Sequence, residues 1–174
     1  CAKDNPYSSF IGFILGTGMN AAYLQPGDKE LKIDEQIIVC ESGKFLSVVN
    51  SDFDIEFDKT TQRPGSFYLE KHCSGAYLGP VGLLALKAAA NDKLFSDKVN
   101  AEILKIQKLT LIEMDKYLHG PYDSESLLGK IVCSVATEED ADKIYQILDA
   151  VVERSARYTA AILVACAEQT GKGK

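Results

Sequence analysis

Long apolar runs and basic clusters are both missing from this sequence. No stretch approaches the roughly 18 consecutive apolar residues that span a bilayer, and the first residues lack the basic and apolar regions of a secretory signal. The 19 Lys and Arg residues are scattered among 25 Asp and Glu residues, which gives a net charge of −6. We therefore expect neither a membrane nor a nucleic acid as the main partner.

Metal-binding cysteine pairs are missing as well. The cysteines are odd in number and widely spaced, and they include no CxxC pair and no Cys/His pair at metal-ligand spacing. We expect reduced, mostly buried thiols, no metal site and a cytoplasmic protein. The 174 residues match the size of one domain, without repeats or a pattern that predicts a particular oligomeric state. The five cysteines are Cys1, Cys40, Cys73, Cys133 and Cys166.

The first third of the chain has the pattern of a β-meander. Residues 10–15 (FIGFIL) form a short apolar run, which predicts a buried central strand that ends at Gly16. Further short segments, separated by Pro-Gly and Ser-Gly pairs, predict antiparallel strands. These segments are residues 21–24, 37–41 and 45–50.

Apolar residues recur at helical spacing from residue 64 onward. The pattern predicts two helices that meet at Gly79-Pro80, because proline interrupts a helix. A third helix is predicted to begin near an Asn100 cap and to end at His119. Residues 119–130 are predicted to form a loop.

The last predicted helix has the clearest signal. Thr137 and Asp140 form a capping-box-like start, with Asp in place of Glu, and a long apolar stripe follows. Strands followed by helices indicate an α/β layered domain rather than a helical bundle or a β-sandwich.

A glycine turn, Gly16-Thr17-Gly18, directly follows the first predicted strand. Its backbone N–H groups and the Thr17 hydroxyl could converge on a phosphate at the end of that strand. A purely structural turn is the alternative reading of such an isolated pattern.

The same turn also satisfies a loose dinucleotide-binding fingerprint. Gly16, Gly18 and Ala21 have the required spacing, and Glu41 lies 20 residues after Ala21, where a ribose-binding acid is expected. That fingerprint must open a full helix, and Pro26-Gly27 leaves no room for one. The residues favour a strand, a turn and a second strand, so a nucleotide-binding oxidoreductase domain is a weak third reading.

Three segments resemble the hexokinase family, in the family's order and at similar spacing. They are residues 11–23 (IGFILGTGMNAAY), 38–45 (IVCESGKF) and 63–79 (RPGSFYLEKHCSGAYLG). The resemblance implies the large domain of the ribonuclease H-like fold that actin and hexokinase share, with a short β-meander followed by helices. Ser42 and Lys44 depart from the family pattern, which suggests a divergent, bacterial member.

The resemblance also implies roles for particular residues. Asn20, Glu41 and Glu70 match the family's hexose-binding positions, and two acids with one amide suit a ring of hydroxyls that both donate and accept hydrogen bonds. The match further implies that Gly16, Thr17 and Gly18 face the phosphates of ATP, which acts with Mg²⁺.

The family's general base is absent from this sequence. That base is an Asp in an Asn-Asp-Thr motif, which the resemblance places before Cys1, and the small domain and the adenine-binding segment are not found either. Residues 1–174 are therefore interpreted as part of a hexokinase large domain, with no catalytic residue and with no activity in isolation. The alternative is a non-catalytic sugar-binding or regulatory module that keeps Asn20, Glu41 and Glu70.

Overall fold

The computed structural model describes residues 9–171, so Cys1 lies outside the described residues. Within that range a small sheet is followed by helices, which confirms the predicted α/β class. The elements in chain order are β1 Ile11–Leu15, β2 Met19–Gln25, β3 Gln36–Val39, a 3-10 helix Ser42–Lys44, α1 Asp52–Thr60, α2 Tyr68–Cys73, α3 Gly75–Asn91, α4 Asp97–Lys105, α5 Leu111–His119, α6 Leu127–Val135 and α7 Glu138–Gln169.

The central strand of the antiparallel sheet is β2, so the prediction of β1 as a buried central strand is wrong. On one edge of β2, Tyr23 pairs with Ile11 of β1. On its other edge, Ala22 pairs with Val39 of β3. Within residues 9–171, β1 has a strand partner on one edge only, and its Ile14 is 68% exposed. An apolar run predicts a strand, but it does not say how many of the strand's edges and faces are covered.

The segment 45–50, predicted as a strand, has no regular structure. Glu41 adopts a left-handed backbone (φ 51°, ψ 37°) and precedes the 3-10 helix Ser42–Lys44. The carbonyl of Phe45 then accepts a hydrogen bond from the Leu69 N–H at 3.1 Å. This segment is therefore held against the start of α2 instead of extending the sheet.

Helix α1 has no counterpart in the sequence-based prediction. It begins with a capping box, in which the Ser51 hydroxyl accepts from the Asp54 N–H at 3.3 Å and Asp54 accepts from the Ser51 N–H at 2.8 Å. The pair satisfies two N–H groups at the helix start. The spacing Ser-x-x-Asp is the same signal that predicts α7.

The junction between α2 and α3 lies at Ser74, so its predicted position at Gly79-Pro80 is wrong. Ser74 has an extended backbone, and its hydroxyl donates to the Thr17 carbonyl at 2.9 Å. The next N–H, that of Gly75, donates to the Gly16 carbonyl at 2.7 Å. These tertiary bonds interrupt the helix, whereas Pro80 lies inside α3, where its missing N–H removes only one backbone hydrogen bond.

The predicted third helix is two helices, α4 and α5. Ser96 precedes α4, and Asn100 lies inside it, where its amide donates to a backbone carbonyl at 2.8 Å, so the prediction of Asn100 as the cap is wrong. The predicted end at His119 is confirmed. The loop predicted at residues 119–130 is shorter, because α6 begins at Leu127.

Helix α7 confirms the clearest prediction and connects the two parts of the core. The Thr137 hydroxyl accepts from the Asp140 N–H at 3.1 Å, and Asp140 accepts from the Thr137 N–H at 3.0 Å. One face of α7 packs on a helical core with α3 to α6, and its later turns pack beside β2 and α2. Fully buried members of the helical core include Leu86, Ile103, Met114, Tyr117, Leu128, Ile144 and Leu148.

Candidate functional site

The glycine turn connects β1 to β2 and is fastened to the α2–α3 junction. Leu15 pairs with Met19, so Gly16, Thr17 and Gly18 form the bend of a hairpin. This confirms the predicted order of strand, turn and strand, and it excludes the helix that a dinucleotide-binding fingerprint requires. The Thr17 side chain is exposed, and the N–H groups of Thr17 and Gly18 have no hydrogen-bond partner among residues 9–171.

Two glycines make room for the carboxylate of Glu70. A Cβ on Gly18 would lie 2.7 Å from Glu70 Oε2, and a Cβ on Gly43 would lie 3.3 Å from the same oxygen. That oxygen accepts a hydrogen bond from the Met19 N–H at 3.2 Å. Glu70, from the first turn of α2, is thus held against the start of β2. Together with burial, its charge raises the pKa of the nearby Tyr77 hydroxyl.

Asn20 connects β2 to the turn after β3. Its Oδ1 accepts from the Ala21 N–H at 2.8 Å and from the Ser42 N–H at 3.1 Å. Its Nδ2 donates to Glu41 Oε1 at 3.4 Å. Because Nδ2 carries two hydrogens, one donor position of Asn20 is left for a ligand.

Glu41 projects from a left-handed backbone position at the end of β3. Its carboxylate forms an ion pair with Lys44 at 2.8 Å, and both side chains are more than half exposed. Lys44 and the amide of Asn20 lower the pKa of Glu41, so this side chain is an anion at neutral pH. An exposed pair of this kind is weak, so Lys44 can be displaced at little cost.

The three predicted hexose-binding residues meet where β2, the 3-10 helix and α2 come together, but they do not share one cavity. Glu70 lines a cavity of about 610 Å³ with Arg63, Phe67 and Tyr77. Glu41 lines a separate cavity of about 680 Å³ between the 3-10 helix and α7. Asn20 lines neither of these two cavities.

A buried ion pair that sequence reasoning missed supports the segment in front of Glu70. Lys71 Nζ donates to Asp58 Oδ1 and, at 2.8 Å, to the Arg63 carbonyl, while the Gly65 N–H donates to Asp58 Oδ2 at 2.8 Å. Lys71 is 6% exposed and Asp58 is 7% exposed. No local pattern could find this pair, because its members belong to different helices and are brought together only by packing.

A second polar contact fastens α1 to α7. Arg154 donates two hydrogen bonds to Asp54, at 2.7 and 2.9 Å, in the bidentate geometry typical of guanidinium and carboxylate. Burial opposes ionisation of Asp54, but the hydrogen bonds from Arg154 and Ser51 outweigh it and lower the pKa. Arg154 therefore holds α1 against α7.

The described residues contain neither a candidate metal site nor a candidate membrane-spanning helix. Across positions 9–171 there is no group of three or more His, Cys, Asp and Glu side chains arranged to hold a metal ion. Over the same part of the chain, no helix combines the length and apolar character needed to cross a membrane.

A three-stranded antiparallel sheet followed by helices is the architecture of a hexokinase large domain. A solved hexokinase from Schistosoma mansoni, complexed with glucose, superposes with a TM-score of 0.77 at 23% identity over 98% of this chain and 42% of that one. The hexokinase family model matches residues 10–174. The chain therefore belongs to the hexokinase family.

Two curated relatives show how much of a hexokinase the chain covers. Human hexokinase HKDC1 is 32% identical over 178 residues, which cover 95% of this chain and 19% of the relative. Hexokinase-7 of Oryza sativa subsp. japonica is 29% identical, with coverage of 94% and 38%. The chain thus spans less than half the length of these relatives. Both come from eukaryotes and give no support to the expected bacterial origin.

Proposed function

We propose that this chain forms one wall of the active site of an ATP-dependent hexose kinase, which transfers a phosphoryl group from ATP to the 6-hydroxyl of glucose or a related hexose. The observation that supports this most is that Glu70 accepts a hydrogen bond from the Met19 N–H while the next residue of β2, Asn20, donates to Glu41. The S. mansoni hexokinase was solved with glucose, so a hexose is the substrate class to test first.

Under this proposal, Asn20, Glu41 and Glu70 bind hydroxyls of the hexose. Each carboxylate offers acceptors, and the Asn20 amide offers the remaining donor of Nδ2. Glu41 exchanges the exposed Lys44 ammonium for a sugar hydroxyl, which costs little because the pair is in contact with solvent. Glu70 is held in place by the hydrogen bond from the Met19 N–H to its carboxylate. The sugar therefore meets one adaptable acid and one fixed acid.

Gly16, Thr17 and Gly18 fit a phosphate of ATP in this proposal. The N–H groups of Thr17 and Gly18 have no partner among residues 9–171, and a Cβ on Gly16 would meet no atom within 4 Å, so the turn offers both donors and space. When bound with ATP, Mg²⁺ neutralises charge on the transferring phosphoryl group. With no acidic cluster suited to a metal at positions 9–171, we propose that the ATP phosphates carry the ion.

In a hexose kinase, the proton of the 6-hydroxyl needs an acceptor. Family resemblance assigns that role to an Asp in an Asn-Asp-Thr motif, and no Asn-Asp-Thr occurs in the 174 residues. We therefore propose that residues 1–174 are part of a hexokinase large domain and are inactive alone. A cytoplasmic location belongs to the same proposal and is supported by the free thiols among residues 9–171, at Cys40, Cys73, Cys133 and Cys166.

A non-catalytic sugar-binding module is the second candidate. It is favoured by the ion pair between Lys44 and Glu41, since a lysine here competes with sugar for the carboxylate. Titration calorimetry with a panel of hexoses and a coupled kinase assay, both on the full-length gene product, separate the candidates. Binding with turnover supports the kinase, and binding without turnover supports the module. Turnover by residues 1–174 alone, at the rate of an intact kinase, contradicts the proposed division of the site.

Replacing Glu70 by glutamine in the full-length protein tests the site itself. The change keeps the size of the side chain but removes the charge, so one charge-assisted hydrogen bond worth about 1.5 to 3 kcal/mol is weakened. We expect hexose affinity to fall roughly 10- to 100-fold by calorimetry. Glu168→Gln, in the last turns of α7, is the matched control and should leave affinity unchanged. Equal affinity in both variants contradicts the assignment of Glu70.

A further inference from the structure

The thiols of Cys40 and Cys166 lie side by side although 126 positions separate them in the chain. Their Sγ atoms are 3.9 Å apart, at the end of β3 and in the last turns of α7. A disulfide requires about 2.05 Å, so the two sulfurs must approach each other by roughly 2 Å for the bond to form. We propose that Cys40 and Cys166 are an oxidative modification site, where a small-molecule disulfide such as glutathione disulfide converts the two thiols to a reversible intramolecular disulfide.

The surroundings of the pair give an oxidant a route to it. Both cysteines line the cavity of about 680 Å³ between the 3-10 helix and α7. Cys40 is half-buried, whereas Cys166 is only 4% exposed. The oxidant therefore reacts first with Cys40. Cys166 then acts as the resolving thiol, which attacks the mixed disulfide on Cys40.

The reaction balances as two successive thiol–disulfide exchanges. The Cys40 thiolate attacks one sulfur of glutathione disulfide, so a mixed disulfide forms and one glutathione thiolate leaves. The Cys166 thiolate then attacks Cys40 Sγ, which forms the protein disulfide and releases the second glutathione. The two protein thiols lose two electrons and two protons, and the two glutathione molecules gain them.

The second exchange requires Cys166 to be a thiolate. Burial, together with the neighbouring Cys40, raises the pKa of Cys166 to about 11. Only a small fraction of Cys166 is thus a thiolate at pH 7, and that fraction rises with pH until the pKa is reached. Disulfide formation should accordingly accelerate by roughly tenfold for each pH unit between 7 and 9, as far as this step limits the rate.

The other described thiols are not placed for this reaction. Cys73 is 1% exposed and its Sγ lies 3.9 Å from the Ser155 carbonyl. Cys133 is exposed on α6, with its Sγ 3.3 Å from the Tyr122 carbonyl. Disulfide formation is therefore expected to be selective for Cys40 and Cys166, because only these two of the described thiols lie next to each other.

The disulfide would join the end of β3 to α7 by a covalent bond. The Cys40 N–H donates to the Ala21 carbonyl at 2.9 Å, so this cysteine is already fixed to the sheet. A covalent link to Cys166 would tie the strand end that carries Glu41 to α7. The cross-link itself requires no sugar or nucleotide, so its test is independent of the proposed kinase function.

The test measures which thiols become linked. The reduced chain is incubated with glutathione disulfide under native conditions and in urea, the remaining thiols are alkylated, and the digest is mapped by mass spectrometry. We expect a linked peptide pair containing Cys40 and Cys166, an intact mass lower by two hydrogen atoms, and reversal by dithiothreitol. The yield in urea should be at least roughly tenfold lower, because folding supplies the proximity.

Matched variants decide between this site and general oxidation. Cys133→Ser should form the link as the unmodified chain does, whereas Cys166→Ser and Cys166→Ala should stop at a mixed disulfide on Cys40. Two results would overturn the proposal: stable glutathione adducts on Cys40 with Cys166 still free in the unmodified chain, or equal cross-link yields in the folded and urea-unfolded states.

Discussion

Replacing Lys71 by methionine perturbs the buried ion pair that supports the start of α2. Methionine keeps the length of the side chain but removes the ammonium group, and with it the hydrogen bonds to Asp58 and to the Arg63 carbonyl. The Asp58 carboxylate then stays buried, with the Gly65 N–H as its remaining donor. The substitution therefore leaves the Asp58 carboxylate as a buried charge without its ion-pair partner.

The expected loss of stability is large because both partners of the ion pair are buried. With Lys71 at 6% and Asp58 at 7% exposure, removing one partner should cost about 3 to 5 kcal/mol of unfolding free energy. Lys105→Met is the matched control, because Lys105 pairs with Glu102 at 2.7 Å while 68% of its side chain is exposed. There the expected loss is at most about 1 kcal/mol.

Urea denaturation followed by circular dichroism measures both changes, provided that the m value is constant. The double variant Asp58→Asn/Lys71→Met removes both charges and keeps an acceptor for the Gly65 N–H, so it should recover most of the loss. The recovery also shows that Lys71→Met does not act merely by disturbing packing. The reasoning is refuted if Lys71→Met loses no more stability than Lys105→Met.

Two further predictions concern the site and its support. In the full-length protein, Gly18→Ala should weaken hexose binding about tenfold or more, because its Cβ would lie 2.7 Å from Glu70 Oε2. The control Gly16→Ala adds a Cβ that meets no atom within 4 Å, so this variant should bind hexose normally. Equal hexose affinities of the two variants in calorimetry would contradict this. The stability that Asp54 adds relative to Asp54→Asn should be present above about pH 4 and disappear as pH falls through its lowered pKa, since protonation weakens the bond to Arg154. A difference in urea midpoint that persists undiminished at pH 2 contradicts that reasoning.

Local signals in the sequence predicted the elements that are held by local bonds. The capping box of Thr137 and Asp140, followed by an apolar stripe, predicted the start and type of α7 because both features act within a few residues. The same logic was available for α1, where Ser51 and Asp54 have the same spacing, but a short helix with few apolar residues gives little periodic signal. Pro26-Gly27 likewise indicated correctly that no helix follows the glycine turn.

The elements that were predicted wrongly depend on distant contacts. The helix break at Ser74 is produced by bonds to Thr17 and Gly16, which lie far away in the sequence. Proline at position 80 is tolerated inside α3, so a local rule placed the break incorrectly. For the site, three motifs in order predicted that Asn20, Glu41 and Glu70 are used together. Motifs alone could not show that the two carboxylates line different cavities.

A crystal structure of the full-length protein with bound hexose tests the central claim most directly. The account predicts one sugar molecule at the junction of β2, the 3-10 helix and α2. Its hydroxyls should lie within about 3.2 Å of the side chains of Asn20, Glu41 and Glu70, with Lys44 displaced from Glu41. A hexose bound elsewhere, with Glu41 still paired to Lys44 and no sugar contact to Glu70, would contradict it.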